Sequence, residues 1–120
     1  MSRDAARLET SVRPQDGAVV ISVQGDVDLD TAEQLATALR AAASELGDPV
    51  VLDLVGVPFM DSSGLKTVLV ASDELGDRLV LAISPGSPVA TLLDLAEVRD
   101  RFTVHDSPEE AIRARGGGDG

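Results

Sequence analysis

The chain has no cysteine. Disulfides, thiolate nucleophiles and thiolate metal sites are thereby excluded. It has no tryptophan or tyrosine and only two phenylalanines. A stacking platform for nucleobases or sugars has no rings to be built from. Basic residues are scarce: ten stand against 21 acidic ones, for a formal net charge of −11. With no basic stripe, such a chain is repelled by nucleic-acid phosphates and by anionic membrane surfaces. The acidity suits a partner with a basic face, whose encounter it would speed, and serves solubility equally well. No apolar run reaches the roughly 18 residues that suggest a transmembrane helix. The polar opening Met1-Ser2-Arg3-Asp4-Ala5-Ala6-Arg7 is not followed by the apolar core of a signal peptide, so a cytoplasmic protein is expected.

What is present is one domain's worth of alternating strand and helix patterns in 120 residues, enough for a single hydrophobic core. Residues 1–7 are expected to be flexible, 8–115 to form the domain, and the Gly-rich 116–120 to be disordered. Leu8–Val12 reads as a short edge strand, Arg13-Pro14-Gln15-Asp16-Gly17 as a turn, and Ala18–Gly25 as a strand. The short connection predicts an antiparallel hairpin. A helix follows over roughly Thr31–Leu46, with Asp30 and Glu33 as an aspartate capping box and Leu35, Leu39, Ala42, Ala43 and Leu46 inward. Gly47-Asp48-Pro49 stops it.

Val50-Val51-Leu52-Asp53-Leu54 is an apolar, β-branched run of the kind buried on both sheet faces. After Val55-Gly56-Val57-Pro58 comes Phe59-Met60-Asp61-Ser62-Ser63-Gly64-Leu65, then a helical pattern to Leu75 through Val68, Leu69 and Ser72. Arg78–Ile83 is another buried strand. Ser87-Pro88 opens a helix with Val89, Leu92, Leu93 and Ala96 on its apolar face. Arg101–Val104 is a short last strand, and Ser107-Pro108-Glu109-Glu110 is a capping box that starts a final helix. A strand pair followed by alternating helices and strands predicts an α/β domain with a largely parallel sheet.

The residue patterns argue against catalysis. Ser62 and Ser63 lack the Gly-x-Ser-x-Gly elbow, and nothing in the sequence brings the single histidine, His105, to them. No catalytic residue is expected. Asp26-Val27-Asp28-Leu29-Asp30 opens like a calcium loop, but Thr31 replaces the required glycine and Thr37 the required glutamate. No metal site is expected. Gly116–Gly118 lie beyond the last helix and cannot cradle a phosphate, so no cofactor is expected either. Asp53, with Pro58 after it, has the look of a receiver-domain phosphoacceptor, but the paired acids and the lysine that a receiver needs are absent from the matching contexts. Asp53 therefore reads as a polar structural residue within its strand. Asp61, Ser62 and Ser63 before an apolar helix also have the chemistry of an N-cap.

The segment Phe59–Leu65 also resembles the signature of the STAS domain in bacterial anti-sigma factor antagonists. The likeness extends from Gly25-Asp26-Val27-Asp28 and Thr31-Ala32 through the serine loop to Ile83-Ser84-Pro85, Leu92-Leu93 and the Asp106-Ser107 ending. It implies a single STAS domain: a mixed, largely parallel sheet of about four or five strands, about four helices and an N-terminal antiparallel hairpin. It implies phosphorylation at Ser62, with Ser63 the alternative. It implies a partner surface of Asp26, Asp28, Thr31, Asp61, Ser62, Ser63, Gly64 and Lys66, with Gly64 letting a partner's backbone approach. The implied partners are an anti-sigma factor of the histidine-kinase-like ATPase type, acting as serine kinase, and a phosphoserine phosphatase. ATP would belong to the kinase. Nucleic acid and membrane are not expected partners. Lys66 departs from the small residue common there, and Glu97 from a frequent glycine. The alternative within the resemblance is a STAS subunit of a lipid- or anion-transport assembly.

Overall fold

A computed structural model describes residues 8–43 and 48–115. The expectations for 1–7 and 116–120, and for the last turn of the first helix over 44–46, lie outside the described residues. The chain folds as β1 (Glu9–Gln15), β2 (Ala18–Gln24), α1 (Ala32–Ala43), β3 (Val50–Gly56), α2 (Ser62–Leu75), β4 (Leu79–Ala82), α3 (Pro88–Leu95), β5 (Thr103–His105) and α4 (Pro108–Arg115). Short 3₁₀ turns over Gly76–Arg78 and Arg99–Arg101 lead into β4 and β5.

The five strands form one sheet in the order β1-β2-β3-β4-β5. Only β1 and β2 are antiparallel; the other pairs are parallel. The expected fold class is the one found. The hairpin turn is tighter than its chemistry suggests. Asp16 and Gly17 alone make it, with φ of 53° and 84°. Two adjacent positive φ values mark the turn whose twist matches that of the flanking strands. Arg13, Pro14 and Gln15, expected in the turn, belong to β1 and pair with Val20, Val19 and Ala18. Pro14 is accommodated because β1 is an edge strand.

Successive parallel strands lie side by side, so right-handed crossovers place α1, α2 and α3 on one sheet face. Val19, Ile21, Val23, Leu52, Leu54, Leu81 and Ile83 meet Leu35, Leu39, Leu65, Val68, Val89 and Leu93 there. The opposite face is covered by α4: Ala111 and Ile112 sit on Val20, Val51, Val80 and Ala82. Burial on both faces explains why β4 reads as an unbroken apolar run and β3 as one interrupted by Asp53. Among the described residues, no helix is long and apolar enough to cross a membrane.

Helix starts show which caps are real. Ser87 Oγ accepts from Ala90 N–H at 3.2 Å with Pro88 at the first helical position, as expected. Ser107 Oγ accepts from Glu110 N–H at 3.1 Å, while the Glu110 carboxylate reaches Asp106 N–H rather than that of Ser107. At α1 the expectation of Asp30 is corrected. Asp28 Oδ1 accepts from the N–H groups of both Asp30 and Thr31, at 3.0 and 3.2 Å. Asp30 is exposed. An aspartate accepting from the residue two positions on forms its own local turn, which displaces the later residue from the capping role.

Candidate functional site: the serine loop

Two loops at the ends of β2 and β3 are stitched together. Val27 and Met60 form an isolated parallel bridge. Val27 N–H donates to Phe59 O at 2.9 Å, and Asp61 N–H donates to Val27 O at 3.0 Å. The bridge extends the β2–β3 pairing past a register shift between Ser22 and Gln24. Val27 and Met60 are buried beneath it. A loop anchored this way presents its next residues at a fixed place.

Those residues are Asp61, Ser62 and Ser63. Asp61 is the N-cap: its Oδ1 accepts from Ser63 N–H at 2.8 Å and Gly64 N–H at 3.3 Å. The capping that sequence chemistry allowed to the serines is therefore done by the aspartate. Ser62 is the first residue of α2 and is exposed. Among the described residues its hydroxyl has no hydrogen-bond partner. Ser63 is half-buried, and its carbonyl accepts from Thr67 Oγ1 at 3.1 Å.

The other expected surface residues divide. Asp26 and Lys66 are exposed. Asp28 is half-buried and its carboxylate is engaged in the turn before α1. Thr31 is only 2% exposed. Its hydroxyl donates to Asp26 O at 2.7 Å and accepts from Asp28 N–H at 3.0 Å. Thr31 thus acts from beneath the surface, by holding the Asp26–Asp28 loop. Gly64 is buried as well, and the close approach it permits is to this chain. A Cβ there would lie 2.6 Å from Val27 Cγ1, 2.8 Å from Met60 Cγ and 3.1 Å from Val27 O. Glycine is needed for α2 to begin against the Val27–Met60 bridge.

Two apolar side chains stand out on the stitched loops. Leu29 is 78% exposed and Phe59 47%. They lie on the two loops that the Val27–Met60 bridge joins. Their signal in the sequence was faint: apolar residues inside Gly- and Asp-rich loops, with no helix or strand period to bury them.

Asp53 lies within β3, where Oδ1 accepts from Val55 N–H at 3.1 Å and Oδ2 lies 3.5 Å from Ser22 Oγ. It is a polar residue of the strand, not an acceptor at its tip. His105 is on β5, two strands from β3, and its carbonyl accepts from Ile83 N–H. It does not hydrogen-bond Ser62, so no nucleophile–base pair is formed.

The sequence model of the STAS domain matches residues 9–111. The anti-sigma-F factor antagonist RsfB of Mycobacterium tuberculosis is 26% identical over 112 residues, covering 92% of each chain. A crystal structure of an anti-sigma factor antagonist from Mycobacterium paratuberculosis superposes with a TM-score of 0.82 at 27% identity, over 91% of this chain and 94% of that one. The phosphorylated form of the Bacillus cell-fate determinant SpoIIAA shares the fold, with a TM-score of 0.62 at 23% identity over 89% of this chain and all of that one. With a mixed five-stranded sheet, a stitched serine loop and a family match over nearly all of its described length, the chain belongs to the STAS domain family.

Proposed function

We propose that this protein is a cytoplasmic anti-sigma factor antagonist. It binds an anti-sigma factor through the surface around Ser62 and thereby frees a sigma factor. The anti-sigma factor, a histidine-kinase-like ATPase, phosphorylates Ser62 and so releases it; a phosphoserine phosphatase resets it. The chain is a kinase substrate and a binding module, not an enzyme. The observation that carries this reading is the state of Ser62: an exposed hydroxyl with no hydrogen-bond partner among the described residues, on a helix start that Asp61 has already capped. Modification there breaks no hydrogen bond of the fold. The likeness to RsfB and to the M. paratuberculosis protein, both anti-sigma factor antagonists, supports the same reading.

The switch is electrostatic. An unmodified serine is small and neutral and can be desolvated against a partner at little cost. A phosphate adds about 1.5 to 2 negative charges at neutral pH. Next to Asp61, that charge makes the same surface expensive to desolvate and repels acids facing it. Binding is lost at the interface, without refolding.

The test is intact-mass and peptide mapping after incubation with ATP and the candidate kinase, for wild type, Ser62→Ala and Ser63→Ala. One phosphate is expected on wild type and Ser63→Ala and none on Ser62→Ala, with Ser62→Ala still bound by the kinase. A phosphate retained in Ser62→Ala would move the site to Ser63. No phosphate on any variant despite binding would leave a partner-binding module without this switch.

A further inference from the structure

Lys66 is the only lysine in the chain. Five of the arginines have partners. Arg40 pairs with Glu33 at 3.1 Å, Arg99 with Asp94 at 2.8 Å and Arg101 with Asp73 at 3.5 Å. Arg13 donates to Ser22 Oγ and Arg78 to Asp48 O. Lys66 is exposed and, among the described residues, has neither a hydrogen-bond nor an ion-pair partner. It stands on the rim of a groove between α1 and α2, with Arg40 and Glu74 the other charged groups there.

Because α2 begins at Ser62, Ser62 and Lys66 are four residues apart on one helix. Residues at that spacing are neighbours on one helix face, and an anion preceding a cation is the favourable order. Helical side chains lean toward the N-terminus, which carries the lysine stem toward the serine. The backbone leaves little else to receive a phosphate: two N–H groups of the first turn already donate to Asp61.

We propose that phosphorylated Ser62 is clasped by Lys66 along α2, so that one modification both adds an anion and withdraws a cation from the unmodified surface. The proposal deepens the switch above and rests on Ser62 being its address. In the unmodified protein Asp61 and Lys66 bracket Ser62 with opposite charges, and Lys66 is available to an acidic group of a partner. In the modified protein Lys66 is spent internally, and the surface around Ser62 becomes more negative.

The experiment installs phosphoserine at position 62 by genetic encoding, without any kinase, in wild type, Lys66→Arg and Lys66→Gln. The ³¹P chemical shift is titrated through the second phosphate ionisation, ordinarily near pH 6. Wild type and Lys66→Arg are expected to titrate about 0.3 unit lower than Lys66→Gln, about a twofold change in proton affinity, with the gap closing in molar salt. Equal titrations in wild type and Lys66→Gln would overturn the clasp, as would Lys66→Arg behaving like Lys66→Gln. Either result leaves the kinase mapping untouched. Conversely, a kinase that ignores Ser62 would remove the switch while the titration still reports the pair.

Discussion

Gly64 sets the angle at which α2 leaves the serine loop, and the space around it permits no side chain. A methyl group there meets Val27 Cγ1 at 2.6 Å and Met60 Cγ at 2.8 Å, both on buried residues. Gly64→Ala is therefore expected to lose about 1–3 kcal/mol, the usual cost of overpacking. Urea denaturation would show it as a lower midpoint with an unchanged slope. Asp61 is a separate case. Asp61→Ala removes the acceptor for Ser63 and Gly64 N–H and is expected to cost about 1 kcal/mol, most of which Asp61→Ser should restore, since serine is an equally good cap. A larger loss in both variants would mean that the aspartate holds something beyond the cap. At this scale the sequence was half legible. That an acid and two serines preceding an apolar helix form its start was plain from their chemistry. Which of the three caps it was not, because all are good caps and the choice depends on where the Val27–Met60 bridge anchors the chain.

Helices and strands were read more fully than single side chains. The β2, β3 and β4 runs and the apolar faces of α1 and α2 follow from period and composition alone. Ala96, expected on the apolar face of α3, is instead exposed, because the helix ends at Leu95 and Ala96 is its C-cap. Pro14 and its neighbours misled for a definite reason: turn chemistry and edge-strand chemistry both tolerate proline, and only the pairing register tells them apart. The division of helices between the faces also needed the sheet order. With α4 alone on the second face, Ile112 and Ala111 are the residues it packs against Val20, Val51, Val80 and Ala82. Ile112→Ala is expected to destabilise the fold by about 2–4 kcal/mol, from lost burial and a cavity that small neighbours cannot fill. Thermal unfolding would register it as a lower midpoint. A loss below about 0.5 kcal/mol, the range of a surface substitution, would mean that α4 is not integral to the core.

The whole molecule is strongly acidic, with a net charge of −11. If that charge steers a basic partner face, association should slow steeply as salt rises while dissociation changes little. Stopped-flow binding between about 0.05 and 0.5 M salt is expected to show roughly a tenfold fall in on-rate, the lower end of electrostatic steering. A flat profile would assign the charge to solubility alone.

The sequence by itself determined the α/β class, the antiparallel start, the succession of elements and the serine segment, because periodicity, turn chemistry and a short motif are local properties of a chain. Only the tertiary structure decided what faces outward. Thr31 and Gly64 belong to the same motif segments as Ser62, yet they are buried, held by a hydroxyl bridge and by a close helix contact. Leu29 and Phe59 are hydrophobic, yet they are exposed on the joined loops. Exposure depends on which segments distant in sequence pack together, and here the pairing of Val27 with Met60 settles it by joining two loops more than 30 residues apart.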